Sequence, residues 1–220
     1  LSSGETKGLF QLESSGVRSA LKQMKPTQFE DIVALVALYR PGPMNNIPIY
    51  NECKNGLKKP NYIHESLEKI LKPTYGIIIY QEQVMQIAQT LASFTPGEAD
   101  ILRKAMGKKK RKELEKQEEK FIKGATKNGI GKDIAVYIFQ KIKPFAEYGF
   151  NKSHAAAYAI ISYQTAFLKT YFPKEFIAAS MTMDISNQNK LGEFYEELKR
   201  LNIKIIRPDI NECFADFISN

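Results

Sequence analysis

The 220-residue chain carries 32 Lys and Arg against 24 Asp and Glu, a formal net charge of +8, and 43% of its residues are hydrophobic. That balance excludes a disordered polyelectrolyte and supports a buried core, arranged as one large domain or two small ones. The longest uninterrupted apolar run, Ile32 to Tyr39, has eight residues, far short of the roughly 20 that a bilayer-spanning helix needs, so no membrane association is expected.

The chain opens LSSGETKGLF, without an initiator Met, a basic leader or an apolar signal core, and reads as a piece of a longer protein. Apolar residues recurring at three- and four-residue intervals predict helices over residues 16–24 and 27–39, the second with Thr27 and Glu30 at capping-box spacing. The next stretch, YRPGPMNNIPIYNECKNGLKKPNY from Tyr39 to Tyr62, is rich in Pro, Gly and Asn and reads as a long loop. Its Arg40 either aims a guanidinium from the stiff PGP turn into a site or caps the end of the preceding helix. His64 reads as an ordinary surface residue. Thr74 to Tyr80 is a β-branched run that forms a short strand or opens the following helix.

Further helices are expected over 80–92, 96–106, 109–128, 132–143, 153–171, 173–183 and 187–201. An Ile-rich segment ending at Pro208 is the other strand candidate. The fold class is therefore mostly α, a multi-helix domain with long loops and few short strands. Cys53 and Cys213 stand without CxxC spacing or neighbouring histidines, so neither a metal site nor a disulfide framework is expected and a reducing, cytoplasmic location is the default.

Two stretches carry chemistry. From Ile101 through Lys127 there are eleven Lys or Arg against four Glu, a local net of +7 that nearly equals the charge of the whole chain. Concentrated positive charge is the footprint of a polyanion-binding surface, although a solvated helix face with Glu113 and Lys116 paired explains part of it equally well. In TPGEAD, Thr95 is placed as an N-cap, Pro96 at the first helical position and Glu98 three residues after the cap. Arg103 and Lys104 then fall near the end of that helix, with Gly107 as a turn that brings Lys108, Lys109 and Lys110 close. Arg103 offers a planar fork of donors to phosphate, whereas the lysines act as point charges.

The second stretch is FAEYGFNKSHAAAYA, Phe145 to Ala159, where Asn151, Lys152, Ser153 and His154 gather at the start of a small-residue helix. A helix N-terminus favours an anion or a polar base edge, and Phe150 or Tyr148 is suited to stack on a base. A plain capped helix, with Asn151 or Ser153 as N-cap and the aromatics in the core, accounts for the same residues. Adjacent Ser153 and His154 cannot face each other as nucleophile and base, and the glycines at 124, 129 and 131 lack the Lys-Ser or Lys-Thr ending of a phosphate loop. No complete catalytic site is visible.

The segments GLFQLESSGVR at Gly8, FEDIVALVALYRPGP at Phe29, PTYGIIIYQEQVMQIAQTL at Pro73, ADILRKAMGKKK at Ala99, FAEYGFNKSHAAAYAIISYQTAFLK at Phe145, YFPKEFIAA at Tyr171 and PDIN at Pro208 occur in order along the chain. On these it resembles the fingers region of the alpha subunit of bacterial DNA polymerase III, the replicative C-family polymerases, over essentially its whole length. The resemblance implies a helical fingers domain over residues 1–202, with 203–220 leading to the next domain. It implies a part of a DNA-directed DNA polymerase that binds the incoming deoxynucleoside triphosphate and primer-template DNA, while palm aspartates upstream of Leu1 hold Mg2+.

Arg103 and Lys104, where relatives often carry Arg at the second position, are implied as triphosphate contacts, and Asn151, Lys152, Ser153 and His154 as residues bordering the nascent base pair. Arg40, Lys108, Lys109 and Lys110 are implied as DNA contacts. No residue here is assigned catalysis or a metal, so the segment alone is expected to be inactive, and a sliding clamp and other replicase subunits are the implied partners of the full-length protein. The alternative is a non-catalytic nucleic-acid-binding helical module.

Overall fold

The computed structural model describes residues 1–107 and 111–219. Among them are eleven α-helices: α1 Ser15–Met24, α2 Phe29–Leu38, α3 Ile47–Lys54, α4 Glu68–Leu71, α5 Gln81–Ala92, α6 Pro96–Gly107, α7 Arg111–Lys127, α8 Lys132–Tyr148, α9 Lys152–Tyr171, α10 Pro173–Met183 and α11 Gln188–Arg200. The described residues contain no β-strand, only an isolated parallel bridge between Tyr80 and Phe150. The mostly helical class expected from the sequence is thus the fold observed. No described helix is long and apolar enough to cross a membrane.

The chain divides into two compact units, residues 33–158 and residues 1–32 with 159–220. In the first, α5, α6, α7 and α8 enclose a core of Ile87, Leu91, Leu102, Phe121, Ile138 and Phe139. Phe121 is fully buried, with its ring 6.4 Å from Phe94 and 5.3 Å from Phe139. Helix α7 approaches α5 so closely at Gly124 that a Cβ there would collide with the Ala92 carbonyl. Glycine is required at that crossing because no side chain fits.

In the second unit, Ile177, Met181, Phe194 and Leu198 pack α10 against α11. Lys169 of α9 lies 2.6 Å from Glu197, and both side chains are almost fully buried. Lys169 also donates to the Lys7 carbonyl at 2.7 Å, which offsets part of the cost of burying its charge. The Arg200 guanidinium, followed by Lys169, holds the Glu197 carboxyl down at about 2. A carboxyl whose folded value lies below its ordinary one adds stability that is complete above about pH 5 and lost as the pH falls toward 2. Glu197→Gln is therefore expected to destabilise the chain at pH 7 and to lose that deficit in acid. Thermal melts of both proteins across this range should converge, and parallel curves would rule out the ion pair as the source.

Several helix ends follow the sequence. Thr95 donates its N–H to Glu98 at 2.9 Å and its hydroxyl accepts from the Glu98 N–H at 3.3 Å, the reciprocal box expected. Lys120 pairs with the same carboxylate. At α2, Asp31 rather than Glu30 takes the Thr27 and Gln28 N–H groups, at 2.9 and 3.2 Å.

Other expectations are corrected. The stretch read as a loop from Tyr39 to Tyr62 contains a 3-10 turn, Pro43–Asn46, and α3. Pro48 lies in the first turn, where a missing N–H costs nothing, and Ile47, Tyr50 and Cys53 recur at three-residue spacing and are buried. Thr74 to Tyr80 is not a strand: Tyr75 and Gly76 take positive φ, and the Thr74 hydroxyl donates to Ile77 O at 2.6 Å. Residues 203–208 likewise form no strand, and Ile206 and Ile210 are exposed. Helix α8 continues past Lys143 through Pro144 to Tyr148, with Pro144 inside it. Glu113 accepts from Gln117 at 3.0 Å instead of pairing with Lys116.

Candidate functional site

The starts of α5 and α9 lie side by side. The Phe150 N–H donates to Ile79 O and the Gln81 N–H donates to Phe150 O, each at 3.0 Å, so the Gly149–Phe150 turn is laced to the residues entering α5. Buried Gln83 caps α5, its Oε1 accepting from Ile79 N–H at 2.8 Å and Tyr80 N–H at 3.0 Å, while its Nε2 donates to Thr74 Oγ1 at 2.8 Å. Every hydrogen-bonding atom of that amide has a partner, which fixes where α5 begins.

The start of α9 is held in two ways. Asn151 Oδ1 accepts from the His154 N–H at 2.8 Å, as an N-cap does. The Glu82 carboxylate, on α5, accepts from the Lys152 N–H at 3.1 Å and from Asn151 Nδ2 at 3.2 Å. The N-terminus that sequence reasoning offers to an external anion is therefore already occupied by an internal carboxylate. Lys152 Nζ extends over the Tyr80 ring, 5.5 Å from its centroid, and Ser153 is exposed at the first turn.

The basic pair stands on the last turns of α6. Arg103 donates through Nε at 2.9 Å and Nη2 at 2.7 Å to Asp100 Oδ1, and Lys104 lies 2.7 Å from Asp100 Oδ2. One carboxylate thus orients both cations, and Lys104 first, with Arg103 second, pulls the Asp100 carboxyl below its ordinary range. The remaining arm of Arg103, Nη1, reaches Gln81 Oε1 at 3.5 Å, and Gln81 Nε2 donates to Gly149 O at 3.1 Å. Gln81 consequently joins the two stretches singled out in the sequence, linking Arg103 of the first to Gly149 of the second.

Arg40 arrives from the end of α2. Its Nε donates to Ala37 O at 2.9 Å, capping that helix, and its guanidinium lies 4.3 Å from the Phe150 ring centroid. The capping role read from the sequence is thus present, and partial burial lowers the Arg40 pKa from the ordinary value. The structure thus brings Arg40, Arg103, Lys104 and residues 151–154 to one face of residues 33–158. Lys108, Lys109 and Lys110 lie outside the described residues. Beside this face a cavity of about 420 Å³ is lined by Lys69, Tyr80, Glu82, Gln86 and Lys152, but not by Arg103.

Gln81, Glu82 and Asp100 are the members of the site that sequence reasoning missed. Asp100 had a signal, since it precedes Arg103 and Lys104 by three and four residues, the spacings that meet on a helix. Gln81 and Glu82 had none, because their partners lie about seventy residues away. Among the described residues no three His, Cys, Asp or Glu are gathered to hold a metal.

A sequence model described as the bacterial DNA polymerase III alpha subunit finger domain matches residues 1–129. The chain is 53% identical over 217 residues to the DNA polymerase III subunit alpha of Caulobacter vibrioides (strain NA1000 / CB15N), covering 99% of this chain and 19% of the relative. Proteins of the same name from Rickettsia felis and Borreliella burgdorferi are 54% identical over 211 residues and 49% over 217 residues. The chain spans about a fifth of the length of these curated relatives.

Proposed function

Because the chain belongs to the finger domain family of the bacterial DNA polymerase III alpha subunit, we propose that its basic face binds the incoming deoxynucleoside triphosphate and the primer-template for nucleotidyl transfer performed elsewhere in the full-length protein. The observation that carries this reading is the link from Arg103 through Gln81 to the turn before α9, with Lys104 tied to Arg103 through their shared partner Asp100. Arg103 and Lys104 meet the triphosphate, Asn151, Lys152, Ser153 and His154 border the nascent base pair, and Arg40 with Lys108, Lys109 and Lys110 meets DNA.

A guanidinium has five N–H donors, and three of those on Arg103 are directed at Asp100 and Gln81, so two remain for phosphate oxygens without any rearrangement. The cations act by position and charge, the main contributions a protein makes to phosphoryl transfer. Mg2+, bound by carboxylates outside residues 1–220, supplies charge neutralisation in the complete polymerase. Residues 1–202 form the fingers and 203–220 lead toward the next domain. A sliding clamp and other replicase subunits are partners of the whole protein, which works in the cytoplasm.

Magnesium-dependent primer extension tests this, comparing the 220-residue chain with the full-length protein. Extension by the full-length protein alone is expected. Two folded, inactive proteins that still bind DNA would instead indicate a non-catalytic nucleic-acid-binding module.

A further inference from the structure

We propose that the outward face of α9 over residues 160–171 is a seam within the full-length polypeptide, covered by a further domain of that same polypeptide that presents an apolar surface poor in charge. The face carries Ile160, Ile161, Tyr163, Phe167, Leu168 and Tyr171, all of them exposed, with Tyr163 at 51%, Phe167 at 44% and Tyr171 at 65%. The Phe167 ring centroid lies 6.5 Å from that of Tyr163 and 4.6 Å from that of Tyr171, so the three rings form one continuous row along the helix. None of these residues is among those assigned to nucleotide or DNA.

The inward face of the same stretch is the polar one, the reverse of an ordinary surface helix. At about 3.6 residues per turn, positions 162 and 169 fall opposite 160, 167 and 171. Ser162 is fully buried and donates its hydroxyl to Phe10 O at 2.9 Å. Lys169, almost fully buried, donates to Lys7 O at 2.7 Å and pairs with Glu197 at 2.6 Å. A helix that is polar toward its own unit and aromatic toward solvent has the pattern of an element enclosed on all sides in a larger molecule.

Charge and chain length select the occupant. Lys169 is the only charged residue between Ala159 and Tyr171, and it is turned inward to Glu197, so the outward face carries no cation of its own for a phosphate backbone or an anionic lipid surface. Permanent interfaces resemble a domain core cut in two, rich in aromatic residues and depleted of charge, which is the composition found here. About four fifths of the length of the curated relatives lies outside the matched segment, enough chain to supply the covering domain. Such a domain is tethered to α9, at an effective concentration far above that of a free partner.

The test uses the purified full-length protein and hydroxyl-radical oxidation read residue by residue by mass spectrometry. Tyr163, Phe167 and Tyr171 are expected to lose most of the oxidation they show in the denatured protein, equally at dilute and concentrated protein and with or without primer-template. Oxidation at the half-exposed level these rings have within residues 1–220 would overturn the proposal. So would protection that vanishes on dilution, which assigns the face to a second copy, or protection that needs primer-template, which assigns it to DNA. Phe167→Asp places a charge in the seam and is expected to restore oxidation at Tyr163 and Tyr171, whereas Phe167→Leu keeps both protected. Unchanged protection in a folded Phe167→Asp protein would equally overturn the proposal, and the pattern of the unsubstituted protein decides the matter if that variant does not fold.

Discussion

Replacing Arg103 by Ala in the full-length protein is expected to raise the KM for nucleotide or lower the rate by roughly 10- to 100-fold, because charge-assisted contacts to phosphate contribute about 1.5–3 kcal/mol. The geometry adds a condition. Asp100 stays paired with Lys104 at 2.7 Å when Arg103 is removed, so Arg103→Ala leaves no isolated carboxylate to confuse the result. Arg103→Lys should fall between the two, since it keeps the charge and loses the fork that engages Asp100 through two nitrogens. Steady-state extension at varied nucleotide concentration reads the effect, and wild-type constants in Arg103→Ala would exclude Arg103 from the site.

The largest effect on stability is expected at Phe121. Phe121→Ala removes a fully buried ring from contact with Phe94 and Phe139, where α7 meets its neighbours. Lost burial and the cavity left behind should cost about 3–5 kcal/mol, a fall in Tm of roughly 6 to 20 °C for a chain of this size. Phe214→Ala is the matched control: that ring is 76% exposed and its loss should change stability by no more than about 0.5 kcal/mol. Calorimetric melts of the two variants decide the matter, and equal small shifts would mean that Phe121 does not anchor this core.

What the sequence disclosed follows the range over which each interaction acts. The Thr95 and Glu98 box and the Asn151 cap involve residues three apart, and both are present. Helix α3 was obscured because Pro48 and its Asn neighbours weigh toward a loop, although Ile47, Tyr50 and Cys53 kept a buried spacing. The apolar run ending at Tyr80 suggested a strand, yet its burial is satisfied by entry into α5 and a single bridge to Phe150. The basic pair and the FNKSH turn were legible individually. Their joining through Gln81 was not, since nothing local to either stretch encodes a partner so distant.

The carboxylate of Glu82 has a consequence for how α9 opens. Helix ends ordinarily fray on their own, exposing their first amides to solvent with little free-energy cost. Here the Lys152 amide is tethered to α5, and the preceding Phe150 amide to Ile79. Opening the head of α9 therefore breaks contacts to α5 and its entrance in addition to the Asn151 cap, so protection of these amides is expected to exceed that of a freely fraying helix end.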